Sequence, residues 1–170
     1  MWAVLVVSHT GQLMEQTALT GSRIGARFAS GYARTLLHVV SIPAVIAMAV
    51  IVFLLALWRG SRRRALWAAG TIAATNASAQ LLKHTLLWRP DFGLSQRWDA
   101  ANTLPSGHTA VAASTAVALV LVVGARWRSL TAWVGALLAA AMGYSTLVCQ
   151  WHRPGDVMAA LLLAVGWGAV

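Results

Sequence analysis

The sequence predicts an all-α fold, an integral membrane bundle of helices. Three observations carry this expectation. Hydrophobic residues make up 59% of the 170 residues and charged residues only 10%, where a soluble domain carries about 25% charged residues. The apolar residues fall in long runs, most near the roughly 20 residues that a helix needs to cross a bilayer. Between the runs lie short segments that collect arginine and proline. The length and the absence of a linker predict one domain over residues 1–170.

The elements follow in order. Met1 to Ser8 has no basic leader and no small-residue cleavage pattern, so it does not read as a signal peptide. Trp2 to Val7 is apolar and too short to span. His9 to Tyr32 is mixed, with Glu15, Arg23 and Arg27. It reads either as a short polar first helix that then lies along the interface, or as part of a truncated spanning helix. Residues 38–58 form the first clear span, and 65–87 the second, with polar interruptions. Residues 107–125 and 129–150 qualify as the third and fourth. Residues 155–170 fall slightly short of a full span and make the fifth.

Charge sets the orientation. The net charge is +9, and Lys83 is the only lysine among 13 basic residues. The turn from Trp58 to Arg64 holds four arginines and no acid, and Arg126 and Arg128 mark a second basic turn. The positive-inside rule makes both cytoplasmic. Glu15, Asp91, Asp99 and Asp156 then lie on the other side. The arginine-rich composition suggests a GC-rich genome, and with it a bacterial plasma membrane and a periplasmic or extracellular site. Basic charge predicts membrane lipids as partners, with Arg23, Arg27, Arg34 and Arg97 meeting anionic headgroups. Scattered arginines without interleaved aromatics argue against nucleic acid. Cys149 is alone in an apolar run, which excludes an intrachain disulfide and a cysteine metal site. Nothing in the sequence sets the oligomeric state.

With this topology three polar clusters reach one membrane face. The first runs from Lys83 to Asp91 at the exit of the second span. Asn76, Gln80 and Lys83 share one helical face, which points Lys83 inward, because intramembrane polar groups face the bundle interior. Lys83 and Arg89 suit a phosphate, one as a point charge and one as a fork; headgroup snorkelling is the plain alternative. The second cluster, Pro105-Ser106-Gly107-His108, opens a helix. Free backbone N–H groups there attract an anion, and Gly107 lets a ligand approach the backbone. Ser106 serves as a cap or as a phosphate ligand. In the third cluster, Ser145-Thr146 through Asp156, Pro154 starts a helix. Asp156 lies four residues after His152 and is placed either to fix the imidazole tautomer or to serve the helix dipole. A metal site built from His108, His152 and Asp156 is the competing chemistry, and Lys83 and Arg89 would repel its cation.

Together the clusters resemble the type-2 phosphatidic acid phosphatase family, which also contains glucose-6-phosphatases and vanadium haloperoxidases. The resemblance covers residues 83–156. Its parts are Lys83 before Arg89-Pro90, then Pro105 to His108, then Ser145 with His152 and Asp156 at the family's spacing. Two positions depart from the pattern. Five residues separate Lys83 from Arg89, one fewer than is usual, and one helical residue turns a side chain by about 100°. Thr146 stands where the family has a phosphate-binding arginine.

The resemblance implies a lipid phosphatase or diphosphatase without a metal or cofactor. His152 would be the nucleophile, Asp156 its orienting acid and His108 the proton donor to the leaving group. Lys83, Arg89, Ser106 and Gly107 would hold the phosphate. Ser145 and Thr146 would add contacts, and Arg153 would replace the missing arginine. The second reading is a catalytically weak or inactive subunit that binds a lipid phosphate.

Overall fold

The computed structural model describes residues 1–24, 26–39, 42–94 and 102–170, and leaves the side chains of 27, 39 and 42–45 undescribed. Arg97, Asp99 and the Arg27 side chain therefore lie outside the described residues. All described elements are helical. A π-helical turn, Ala3–Val7, precedes α1 (His9–Gly21), α2 (Ala26–Val39), α3 (Ile42–Trp58) and α4 (Arg62–Leu81). A second π-helical turn, Leu82–Leu86, continues α4, and α5 (Gly107–Val122), α6 (Ala125–Val148) and α7 (Pro154–Ala169) complete the bundle.

Serine caps fix several helix starts. Ser8 Oγ accepts from the Gly11 N–H at 3.0 Å, Ser61 Oγ from Arg64 at 3.3 Å, and Ser106 Oγ from Thr109 at 3.4 Å. Each satisfies a backbone donor that the first turn leaves open. The apolar run at 38–58 contributes the end of α2, to Val39, and α3 from Ile42, and residues 40 and 41 lie outside the described residues.

Central α5 packs against α3, α4, α6 and α7. Small residues make these contacts close. Ala79, Ala110 and Ala160 meet between α4, α5 and α7, and Ala113, Ala139 and Ala164 between α5, α6 and α7. A Cβ on Gly135 would stand 2.6 Å from the Ala116 Cβ, so only glycine permits that approach of α6 to α5. Larger side chains, Val52, Ile72 and Val122, fill the junction of α3, α4 and α5.

Among the described residues only α6, with 24 residues, is both long and apolar enough to cross a bilayer. Helices α5 and α7 are apolar but have 16 residues each. That length rises about 24 Å, against roughly 30 Å of hydrocarbon. The outer surface is nevertheless apolar: Ile51, Leu54, Trp133, Leu137, Leu162 and Val165 are all exposed.

The bundle has two chemically different ends. Arg63, Arg64, Arg128 and Trp167 surround a hollow of about 450 Å³ at one end. The starts of α5 and α7, joined by a hydrogen bond from Ser106 to Asp156, lie at the other.

Candidate active site

Asp156 is the hub of the second end. It lies in the first turn of α7 and is 2% exposed. Its Oδ2 lies 3.2 Å from His152 Nδ1 and accepts from Thr103 Oγ1 at 2.7 Å and from the Arg153 N–H at 2.9 Å. A carboxylate only accepts, so Nδ1 of His152 is the donor, and in the neutral imidazole Nε2 holds the lone pair. Burial raises the energy of the Asp156 charge, and these three donors offset it.

Helix α5 is tied to that hub. The Ser106 N–H donates to the Asp156 carbonyl at 2.9 Å. Ser106 is fully buried, and its Oγ accepts from Thr109 Oγ1 at 3.0 Å as well as capping the helix. Gly107 has open space where a side chain would be; a Cβ there would meet only Gln80 Nε2, at 3.8 Å. The His108 ring lies 5.5 Å from Trp151, the residue before His152. It is within electrostatic reach of His152 and Lys83.

The cations approach from the end of α4. Asn76 Nδ2 donates to Ser114 Oγ at 3.3 Å, so the polar face of α4 meets α5. Lys83 follows in the π-helical turn and senses the Asp156 charge. Asn102 Nδ2 donates to the Leu87 carbonyl at 3.3 Å and ties the next loop to this segment. Arg89 is half-buried, and its Nη2 donates to Gln12 Oε1 at 2.7 Å. Its guanidinium is pushed down to about 10, first by burial and then by the like charge of Arg153, against Asp156, Glu15 and Asp91. Like charges that oppose each other favour a bound anion.

The residues of the third cluster divide. Thr146 Oγ1 donates to the Gly143 carbonyl at 2.7 Å and Ser145 Oγ to Ala141 at 2.8 Å, so both hydroxyl protons are used on α6. The Thr146 carbonyl accepts from the Trp151 and His152 N–H groups at 2.9 and 3.3 Å and sets the turn that carries His152. Arg153 is 2% exposed, and its Nη1 donates to Thr103 Oγ1 at 2.9 Å.

Sequence reasoning did not single out Gln12, Thr103 or Trp151, and placed Glu15 without a role. Glu15 accepts the Gly155 N–H with both carboxylate oxygens, at 2.9 and 3.1 Å, at the start of α7. Burial pushes its carboxyl up, against the Gly155 bond that favours the charge. A solitary acid in an otherwise uncharged stretch was the available signal; the others had none. Among the described residues no group of three His, Cys, Asp or Glu side chains is placed to hold a metal ion.

A helical bundle that joins a buried His–Asp pair, a second imidazole and several cations at one end has the make-up of a phosphatase site. The chain belongs to the PAP2 superfamily, whose family model matches residues 64–170. That match covers all but the first two residues of α4 and everything after it, and leaves α1 to α3 outside. No curated protein and no solved structure matches the chain.

Proposed function

We propose that this phosphatase removes the phosphate, or one phosphate of a diphosphate, from a membrane lipid through a phosphohistidine intermediate. The observation that carries the reading is the buried contact of His152 Nδ1 with Asp156 Oδ2 at 3.2 Å, beside the helix start that holds Ser106 and His108.

His152 Nε2 attacks phosphorus in line and the P–O bond to the leaving group breaks. Asp156 fixes the tautomer and stabilises the imidazolium that forms. His108 gives its proton to the leaving oxygen, then takes one from the water that cleaves the N–P bond. Lys83, Arg89 and the Gly107 N–H, with Ser106, hold the equatorial oxygens, where preorganised donors lower the barrier. Arg153 supplies the positive charge that Thr146 lacks. No step calls for a metal or cofactor.

In this reading five helices span the membrane and the site lies at the outer leaflet. The apolar outer surface supports that reading, since water would leave such a surface uncovered. Local thinning of the bilayer and snorkelling of flanking residues accommodate helices of 16 residues. The arginine-lined end then faces the cytoplasm. Candidate substrates are phosphatidic acid, phosphatidylglycerol phosphate and polyprenyl phosphates or diphosphates, including a polyprenyl phosphoribose phosphate.

The test is a phosphate-release panel across these lipids with purified protein, beside His152→Ala. Release from one class, lost in the variant, supports the proposal. Equal release by both proteins sinks it. A second reading, a lipid-phosphate-binding subunit with little activity, draws on Thr146, whose hydroxyl is committed to Gly143. It predicts binding without turnover across the whole panel.

A further inference from the structure

Helix α1 lies outside the family match, yet it reaches the phosphate site. Gln12 is 2% exposed. Its Oε1 accepts from Arg89 Nη2, and its Nε2 donates to the carbonyls of Pro90 and Val6, each at 2.7 Å. One amide thus grips both the side chain of Arg89 and the backbone of the next residue.

The helix that carries this amide is itself anchored. Trp2 Nε1 donates to the Trp88 carbonyl at 3.0 Å, and the two rings meet edge to face at 6.0 Å. His9 meets Phe92 at 5.5 Å. Glu15 holds Gly155 at the other side of the site. A Cβ on Gly155 would come within 2.9 Å of that carboxylate, so α1 and α7 approach as closely as glycine permits.

An arginine side chain loses rotamer freedom when it is fixed. Fixing it before the ligand arrives removes that cost from binding. A neutral amide suits the task, because it takes one of the five guanidinium N–H groups and cancels no charge. A carboxylate in its place would pair with Arg89 and compete with the phosphate.

We infer that Gln12 is a positioning residue of the phosphate site, acting through Arg89. The inference rests on the reading of Arg89 as a phosphate ligand. The test is a double-mutant cycle on the full chain in detergent, with inorganic phosphate as the probe and its affinity measured by calorimetry. Gln12→Met, Arg89→Met and the double variant are compared with wild type, each with a thermal melt.

Gln12→Met weakens phosphate binding by roughly 5–10-fold, and the loss vanishes when Arg89 is already methionine. An effect of the same size in both backgrounds, or a shift in melting temperature alone, overturns the role of Gln12 and leaves Arg89 as a ligand. Phosphate affinity unchanged by Arg89→Met, or absent from the wild type, sinks the reading of Arg89 and the inference with it. Should Gln12→Met fail to fold, Gln12→Glu runs the same cycle. Its carboxylate lowers phosphate affinity only while Arg89 is present, and a loss that persists in Arg89→Met overturns the inference.

Discussion

The backbone N–H of Ser106 donates to the carbonyl of Asp156 at 2.9 Å. This bond joins two helix starts that lie 50 residues apart in the chain. The residue that accepts it also meets His152 through its side chain. The second and third motifs are therefore tied to each other through Asp156.

Asp156→Asn separates charge from shape at this position. Asparagine keeps an oxygen for the Thr103 hydroxyl and the Arg153 N–H, but loses the charge that faces the imidazole. A neutral partner permits the wrong tautomer and no longer stabilises the imidazolium. The expected result is a fall in kcat of roughly 10²–10⁴-fold with little change in KM. Steady-state phosphate release checks it, with circular dichroism confirming retained helix. A change below about threefold would remove Asp156 from the mechanism.

The proposed mechanism needs the two imidazoles in opposite protonation states. His152 attacks as a neutral base, whereas His108 must start with the proton that it gives to the leaving group. Activity therefore falls on the acid side as the nucleophile is protonated, and on the alkaline side as the donor is lost. A bell-shaped profile of kcat/KM across roughly pH 5–9 is expected. His108→Ala should lower kcat by about 10²–10⁴-fold and flatten the alkaline limb. A monotonic wild-type profile would rule out this division of labour.

Thr146 leaves the third motif without its usual cation, and buried Arg153 is the nearest replacement in the chain. A charge-assisted hydrogen bond contributes about 1.5–3 kcal/mol. Arg153→Met should accordingly raise KM by roughly 10–100-fold, and Arg153→Lys should recover part of the loss. Kinetics on a single lipid phosphate measure both. If the lysine variant is no better than methionine, Arg153 acts through its bond to Thr103 and not through its charge.

The helices were legible because apolar runs and serine caps are local signals. Ser106 marks its helix start in the sequence as it does in the structure. The candidate site residues Lys83, Arg89, His152 and Asp156 announce themselves as charged or titratable side chains beside apolar segments. The contribution of α1 does not. Gln12 and Thr103 are uncharged, and their partners, Arg89 and Asp156, lie 77 and 53 residues away. Only the fold makes them neighbours.

Glu15 gives a prediction about stability. Its carboxyl is raised above the ordinary 4.5, chiefly by burial, so the folded state favours the protonated form more than the unfolded chain does. Stability from this group is fully present below the unfolded value and is lost as pH rises through the higher folded value. Glu15→Gln keeps one acceptor for the Gly155 N–H and carries no charge at any pH. The variant should therefore gain in melting temperature relative to wild type as pH rises from about 4 to 7. Thermal melts in detergent at several pH values in that window measure the difference. If the gap between the two proteins is the same at every pH, the buried charge has no part in the stability. If wild type gains on the variant towards neutral pH, the Gly155 bond outweighs burial and the carboxyl is lowered, not raised.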